Sequence, residues 1–354
     1  MRWLIVVECL LAVAVEHGLS AEQLVYVSLN KEQKIAVYDL NDNDSSLTLK
    51  KMVDVTGHPA STCVDRDKKH LYVSMKQSKS LAAFRIAAGG GLVLLGESIV
   101  GEDAAYVTVH PSGKYLLSAD YANGLVHVHG IHSDATLSDN PLQVIKTDKR
   151  AHAIVHDLSG NFFFVPHTQP NAIFQFVFDA DTGKLLPNTP AKLQRENNTG
   201  PRHLSFHPGG KFAYGSDEQG CSVTVYRFDP ESGTLKAIQT VSSLPADGFS
   251  GERSTSHIEV HPSGKFVYIA NRGHDTIAGF SINPESGDVT LLQHTPTEAV
   301  PRSFNISPDG KHLIAAGQSS GKLAVFRIAE DGMLSRTATV GAGNTPWWVL
   351  IVER

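Results

Sequence analysis

The feature that most constrains the fold of this chain is a turn motif that recurs six times. Its clearest copies read His-Pro-x-Gly-Lys, at 110–114, 207–211 and 261–265. Proline fixes φ and glycine accepts a positive φ, so each copy predicts a tight turn. The fourth residue of the motif falls at positions 68, 113, 160, 210, 264 and 310. Spacings of 45 to 54 residues are typical of the four-stranded blades of a β-propeller.

The residues on either side of each turn have the pattern of half-buried strands. In the copy at 200–218, Leu204 and Phe206 alternate with polar residues before the turn, and Phe212 and Tyr214 begin a second alternating run after it. A third strand, a second turn and a fourth strand follow in most copies. Each unit therefore predicts one antiparallel blade.

The two ends of the chain supply a seventh unit. Residues 24–55 contain three strands of a blade without a first strand, and residues 345–352 form a lone strand. We expect the C-terminal strand to become the innermost strand of the first blade and to close the ring, which removes an exposed sheet edge. The sequence therefore predicts an all-β, seven-bladed β-propeller with four antiparallel strands per blade.

Residues 1–21 differ in composition from the rest of the chain. Arg2 precedes an apolar stretch that ends at Ser20-Ala21, as in a secretory signal peptide, although two glutamates interrupt it. We predict a signal peptide or an N-terminal extension here, followed by a single propeller over 22–354. Export and a cytoplasmic location both stay open. The stretch is too short and too charged for a membrane span, so we expect no membrane contact of the mature form.

Composition excludes several classes of partner and cofactor. The net charge is −5, so no basic field attracts nucleic acid. Three widely spaced cysteines, Cys9, Cys63 and Cys221, fit neither a disulfide framework nor a zinc site. The sequence has no phosphate-binding loop, dinucleotide fingerprint, nucleophile elbow or zinc-protease motif. We expect no cofactor and no metal.

The alternating direction of the strands places polar side chains at one mouth of the propeller channel. In an antiparallel blade, the start of the first strand and the loop between the second and third strands lie on the same face. The polar residues at these two kinds of place include His152, Arg202, His203, Glu218, His257, Arg272, Arg302 and Gln318. The opposite face carries the repeated turns. We expect the functional site on the polar rim, because loops on a rigid scaffold commonly carry function.

The residue types on this rim suit acid–base chemistry on an anionic small molecule. A histidine with a pKa near neutrality can activate water. Arginines bind a carboxylate or phosphate in bidentate fashion and stabilise a developing oxyanion. A carboxylate can orient either group or act as the base itself. Such a set is sufficient to hydrolyse an activated ester.

Four segments of the chain resemble one known family. They are Gly-Pro-Arg-His-Leu-Ser-Phe-His-Pro at 200–208, Asn-Arg-Gly at 271–273, the stretch 296–302 and Ala-Ala-Gly-Gln at 315–318. From about Leu24 to its end, the chain is similar to the seven-bladed propeller lactonases of the bacterial 6-phosphogluconolactonase type, a family that also includes fungal carboxy-muconate lactonising enzymes. The resemblance implies a hydrolase that opens a sugar-acid lactone. The lactone it points to first is 6-phosphogluconolactone, a substrate of the pentose phosphate pathway of glucose metabolism.

The resemblance also implies a catalytic set, which comprises His152, Arg202, Glu218 and Arg272. The predicted substrate-binding residues are His203, His257, Arg302 and Gln318. His152 or Glu218 would activate water, and the two catalytic arginines would bind the anionic group and the carbonyl oxygen. Related sequences have asparagine where this chain has Asp217, and the extra negative charge is expected to raise the pKa of one carboxylate.

Other interpretations stay open at this point. The same residues could serve a lactonising or cycloisomerising enzyme that acts on muconate-like dicarboxylates. An exported, non-catalytic propeller could instead bind a protein or glycan on the same rim. A structural interpretation also exists, in which Arg202 and Glu218 form a salt bridge that locks the blade.

Overall fold

The burial pattern of the strands follows from their place in a blade. The computed structural model describes residues 22–101, 103–246 and 249–354, and the predicted signal segment 1–21 lies outside these residues. Strand Phe212–Asp217, in the middle of a blade, is buried along its whole length, because neighbouring blades cover both of its faces. Strand Leu47–Asp54, at the outer edge of a blade, buries only Leu47 fully. Apolar runs therefore become inner strands and polar-rich runs become outer strands.

The described residues form 28 strands. In chain order they are β1 (Gln23–Leu29), β2 (Lys34–Leu40), β3 (Leu47–Asp54), β4 (Pro59–Val64), β5 (His70–Met75), β6 (Ser80–Ile86), β7 (Leu92–Ile99), β8 (Ala104–Val109), β9 (Tyr115–Asp120), β10 (Leu125–Gly130), β11 (Gln143–Lys146), β12 (Val155–His156), β13 (Phe162–His167), β14 (Ala172–Asp179), β15 (Lys184–Gln194), β16 (Pro201–Phe206), β17 (Phe212–Asp217), β18 (Ser222–Asp229), β19 (Thr234–Ser242), β20 (Ser254–Val260), β21 (Phe266–Arg272), β22 (Thr276–Ile282), β23 (Val289–Pro296), β24 (Pro301–Ile306), β25 (His312–Gly317), β26 (Lys322–Ile328), β27 (Leu334–Gly341) and β28 (Pro346–Glu353).

These strands form seven four-stranded antiparallel sheets, as predicted. Six of the sheets use four consecutive strands, from β4–β7 to β24–β27. The remaining sheet has the order β28-β1-β2-β3, in which the C-terminal strand pairs with β1 from Gln23↔Glu353 to Leu29↔Pro346. The prediction of a seven-bladed ring closed by the C-terminal strand is confirmed. We number the blades 1 to 7 from the one that contains β1.

The apolar core is divided among the interfaces between adjacent blades. Val37 of blade 1 packs in one cluster with Val73 of blade 2, and Tyr38 packs on the other side with Leu323 of blade 7. Each blade is thus stabilised by its two neighbours. The ring therefore behaves as a rigid frame for whatever lies at its axis.

Histidines of the repeated turns link successive blades. His207 Nε2 donates to the carbonyl oxygen of Gly264 in the next blade at 2.9 Å, while the Gly209 N–H donates to His207 Nδ1. His261 bonds in the same way to the carbonyl of Gly310 at 2.8 Å. Gly264 has a φ of +72°, and a Cβ there would lie 2.6 Å from His207 Nε2. The motif is therefore a latch between blades, which explains the histidine as well as the glycine.

Helical structure is minor in the part of the chain that the structure describes. It consists of two 3₁₀ turns, Asn30–Glu32 and Ala88–Gly90. No helix in these residues has the length and apolar character needed to cross a membrane.

Candidate active site

A β-bulge near the start of the innermost strands shapes the predicted rim. In β16, Pro201 pairs with Asp217 and His203 with Ser216, so Arg202 is the extra residue of the bulge. The same one-residue shift occurs in β24 and β28, where Arg302 and Trp347 are the extra residues. A bulge re-aims the side chain of its extra residue. It therefore allows consecutive residues such as Arg202 and His203 to contact each other.

The strand register defines three rings of equivalent positions around the channel. The rim ring consists of Ala60, Ala105, His152, Arg202, Ser256, Arg302 and Trp347. The middle ring consists of Ser61, Tyr106, Ala153, His203, His257, Ser303 and Trp348. The lower ring, nearer the face of the repeated turns, consists of Cys63, Thr108, Val155, Ser205, Glu259, Asn305 and Leu350.

Glu218 is held between two arginines at the rim. It begins the loop between β17 and β18, and its Oε1 accepts from Arg272 Nη2 at 2.8 Å. Its Oε2 lies 3.6 Å from Arg202 Nε. Arg272 Nη2 also donates to the carbonyl of Thr255 at 2.9 Å, which fixes its guanidinium. The side chains of Arg202, Glu218 and Arg272 are 2, 19 and 16% exposed, so this ion cluster is largely shielded from water.

A third arginine completes the cluster. The Arg302 guanidinium lies over the Trp347 ring, 3.6 Å from its centroid, and Lys76 Nζ is 5.2 Å from the same ring. Lys76 forms an ion pair with Asp103 at 2.7 Å, so its charge is compensated locally. Burial and the nearby Arg272 charge lower the pKa of Arg302 to about 10. Arg302 is therefore positively charged at neutral pH but lacks a close carboxylate of its own among the described residues.

His152 lies against this cluster with an unused ring nitrogen. Its ring centroid is 5.1 Å from that of His203 and 5.3 Å from that of Tyr121. Its Nδ1 is buried and has no hydrogen-bond partner in the described part of the chain. Burial first, and then the positive charges of Arg202, Arg302 and Arg272, hold the pKa of His152 well below its usual value. The imidazole is therefore neutral at neutral pH.

The middle ring forms an aromatic floor beneath the rim. Tyr106 lies edge-on to His203 and to Trp348, with centroid distances of 5.3 and 5.4 Å. His203 and His257 also make an edge-to-face contact at 5.1 Å. Below this floor, the lower ring lines a cavity of about 400 Å³ that includes Glu259 and Cys63. Among the described residues, the lining of this cavity includes Tyr106, His203, His257 and Trp348 but none of the rim arginines.

The charges of the rim cluster do not cancel. The three arginines face one carboxylate, Glu218, which leaves a formal charge of about +2. Arg272 Nε is buried without a hydrogen-bond acceptor in the residues described, whereas Arg202 Nε has Glu218 Oε2 at 3.6 Å. Buried polar groups normally have partners, so the unsatisfied donor of Arg272 points to an anionic ligand.

The structure brings most of the predicted site residues together. His152, Arg202, Glu218, Arg272 and Arg302 form one cluster at a single mouth of the channel. His203 and His257 lie one layer deeper, and both ring nitrogens of His203 are already hydrogen-bonded. Gln318 lies on the same rim, but in the described ranges no contact joins its side chain to the cluster. Its backbone N–H donates to the carbonyl of Val300.

Asp217 lies away from this cluster. Its Oδ2 accepts hydrogen bonds from Ser222 Oγ at 2.8 Å and from Thr224 Oγ1 at 2.6 Å, inside the blade. The pKa of Asp217 is raised, as expected, but the main cause is burial of its own carboxyl group rather than repulsion from Glu218. The aspartate at 217, where related sequences have asparagine, therefore adds no charge contact at the site.

Two features of the site were not assigned by sequence reasoning. Trp347 lies in the C-terminal strand predicted to close the ring, and it also supports the Arg302 guanidinium. Glu259 was not singled out, although it lies two residues after His257 in β20. Period-two alternation places such residues on the same face of a strand, so this signal was available in the sequence. In the described ranges, no group of three or more metal-binding side chains could hold a metal ion.

Comparisons with known proteins identify the family of this chain. Residues 24–351 match the model of the family described as "Lactonase, 7-bladed beta-propeller". The chain is similar to the 6-phosphogluconolactonase of Erwinia tasmaniensis, at 33% identity over 93% of this chain and 98% of the relative. The enzyme of the same name from Pectobacterium carotovorum is 32% identical over 94% of this chain and 99% of its own. The solved periplasmic gluconolactonase of Pseudomonas aeruginosa shares the fold, with a TM-score of 0.87 at 24% identity, covering 94% of this chain and 99% of that one. The chain belongs to the lactonase family of seven-bladed β-propellers.

Proposed function

We propose that this lactonase hydrolyses 6-phosphogluconolactone at the rim of the propeller channel. The observation that carries the proposal is the charge balance of the site, where Arg202, Arg272 and Arg302 share the single carboxylate of Glu218. The relatives named 6-phosphogluconolactonase support the same substrate. They also favour lactone opening over cycloisomerisation or simple binding.

The excess positive charge matches a phosphate group. A phosphate monoester carries about −1.5 to −2 at neutral pH, which would offset the formal charge of about +2 on the cluster. An unphosphorylated sugar lactone is neutral and would leave that charge uncompensated. The charge balance therefore favours a phosphorylated substrate.

The three arginines differ in depth, and we assign them different roles. Arg202 is 2% exposed and lies next to the middle ring, so it suits the carbonyl oxygen of the lactone. Arg272 is more exposed, and Arg302 lies flat on Trp347 beside it. These two would hold the phosphate, because planar guanidinium groups bind it in bidentate fashion.

His152 is the better candidate for the base. Glu218 is committed to Arg272 by a 2.8 Å hydrogen bond, whereas Nδ1 of His152 has no partner among the described residues. Burial first, and then the arginine charges, lower the pKa of His152. A bound phosphate would offset the arginine charges and remove that part of the shift, so the base would gain strength when substrate is present.

His152 and Arg202 are sufficient for the chemical steps of hydrolysis. His152 takes a proton from water as the oxygen adds to the lactone carbonyl carbon, and Arg202 stabilises the resulting oxyanion. Collapse of this intermediate re-forms the carbonyl and breaks the ring C–O bond. The leaving alkoxide takes the proton from the imidazolium of His152. The product is the open-chain acid.

Two variants with matched controls test these roles. His152→Ala should lower kcat by about 10²–10⁴, the usual contribution of general base catalysis. His132→Ala removes an exposed histidine on the turn face and should leave kcat unchanged. Arg272→Ala should raise KM for 6-phosphogluconolactone by about 10-fold or more, as expected for a lost charge-assisted contact. Arg85→Ala, which removes an exposed arginine, should not change KM.

Unphosphorylated glucono-δ-lactone provides the test of phosphate binding. Arg272→Ala should change KM for this lactone little, because it has no phosphate to lose. Equal effects on both lactones would contradict phosphate recognition by Arg272. Full activity of His152→Ala would remove its assignment as the base.

A further inference from the structure

A chain of polar side chains runs from the rim through the floor to the lower ring. Arg202 Nη1 lies 3.2 Å from His203 Nε2, and His203 Nδ1 lies 2.9 Å from His257 Nδ1. His257 Nε2 is 3.8 Å from Glu259 Oε2. These contacts join the proposed oxyanion group to a carboxylate in the cavity on the other side of the floor.

The first member fixes the direction of the whole chain. A guanidinium can only donate, so His203 Nε2 accepts and its proton must reside on Nδ1. His203 Nδ1 then donates to His257 Nδ1, which must therefore be unprotonated. The proton of His257 consequently lies on Nε2, facing Glu259. Each imidazole is neutral and has one defined tautomer.

Surrounding groups hold the Glu259 end of the chain in place. Asn305 Nδ2 donates to both oxygens of Glu259, at 2.9 and 3.1 Å, and the Ile306 N–H donates to its Oε2 at 3.2 Å. Asn305 Oδ1 accepts from the Ile351 N–H, which sets the orientation of the amide. The carboxylate therefore has a fixed position, from which it faces the protonated nitrogen of His257.

We propose that Glu259 is a positioning residue for Arg202, acting through the tautomers of His257 and His203. This inference rests on the proposed function, in which Arg202 stabilises the oxyanion. The negative charge of Glu259 favours the Nε2–H tautomer of His257, which leaves Nδ1 free to accept from His203. His203 then offers its Nε2 lone pair to Arg202 and holds that guanidinium in one orientation.

Glu259→Gln should weaken this order. The Ile306 N–H and Asn305 Nδ2 donate to the oxygen nearest His257, so the amide oxygen should keep that place and only the negative charge is lost. The two tautomers of His257 would then be closer in free energy. In molecules with the His257 proton on Nδ1, His203 carries its proton on Nε2, and Arg202 loses its acceptor and its fixed orientation.

The first measurement reads the tautomers directly. Long-range ¹H–¹⁵N NMR of the ¹⁵N-histidine-labelled full chain should show His203 and His257 as neutral rings, protonated at Nδ1 and Nε2 respectively. In Glu259→Gln both rings should show the opposite tautomer as well. The opposite tautomers, or a cationic imidazole, in the wild-type protein would overturn the chain, whether or not the variant folds.

The second measurement reads catalysis. In Glu259→Gln we expect kcat on 6-phosphogluconolactone to fall about 10-fold and KM to change less than about twofold, because phosphate binding by Arg272 and Arg302 is retained. Glu259→Asp, which keeps the charge, should recover part of the loss. Glu285 is an exposed acid in the same blade, and the matched control Glu285→Gln should leave kcat and KM unchanged.

The outcomes separate this inference from the proposed function. Unchanged tautomers in Glu259→Gln, or mixed tautomers with an unchanged kcat, would overturn the positioning role of Glu259. A wild-type protein inactive on lactones would contradict the proposed function, while the NMR result would still decide whether the hydrogen-bonded chain exists.

Discussion

Replacing Glu218 by glutamine should weaken the fold and strengthen anion binding at the same time. Glu218 is the one carboxylate within 4 Å of Arg202 and Arg272 in the part of the chain described. The variant keeps the size of the side chain and removes its charge. Three guanidinium groups would then face one another without a counter-charge.

The loss of stability can be bounded from the burial of the partners. Breaking a buried ion pair by removing one partner costs about 3–5 kcal/mol. The Glu218 side chain is 19% exposed, and the glutamine oxygen can still accept from Arg272, so we expect about 2–3 kcal/mol. At about 2 cal/mol/K of unfolding entropy per residue, this corresponds to a fall in Tm of about 3–4 °C.

Inorganic phosphate should restore more stability in the variant than it adds to the wild type. The formal charge of the cluster rises from about +2 to about +3, so the anion should bind more tightly. A 10-fold tighter site adds up to about 1.4 kcal/mol of stability when phosphate is in excess. The assay is thermal unfolding with and without phosphate at matched ionic strength, with Glu285→Gln as the control. A Glu218→Gln protein as stable as the wild type, or one with no larger gain from phosphate, would refute this account of the cluster.

Two further predictions concern the frame around the site. Gly264→Ala should destabilise the protein by about 2–3 kcal/mol, because alanine is strained at a φ of +72° and its Cβ would displace His207 from its latch. Gly113→Ala has a similar φ of +71° with nothing within 4 Å of the added Cβ, so urea unfolding should show a loss of only about 1–2 kcal/mol; equal losses would contradict the latch. The second prediction concerns acid stability, because burial lowers the pKa of His167 to about 4. Its neutral form stabilises the fold fully above a pH of about 6.5, and about 3 kcal/mol should be lost as the pH falls from there towards 4. In His167→Gln, the free energy of unfolding should depend less on pH between about 6.5 and 4. An unchanged pH dependence would contradict the role given to His167.

The fold could be predicted from the sequence because the turn motif repeats at the period of a blade. The site could be predicted in part, because strand parity alone placed Arg202 and Glu218 on one face. The alternating direction of the strands does not show where bulges occur. Only the structure therefore shows that Arg202 contacts His203 and that Trp347 supports Arg302. These features depend on local register shifts, which similar sequence patterns do not reveal.

The seven blades also explain how one scaffold builds an asymmetric site. Each blade presents a residue of the rim ring at an equivalent backbone position, and the ring includes alanine, serine, histidine, arginine and tryptophan. The small residues, such as Ala105 and Ser256, leave room at the mouth, and the arginines supply the charge. Because the backbone position is held by blade packing, exchanging a side chain there changes the chemistry without rebuilding the frame. Specificity within such a ring should therefore depend on which blade carries each residue, and exchanging the rim residues of blades 5 and 6 should abolish activity while preserving the fold.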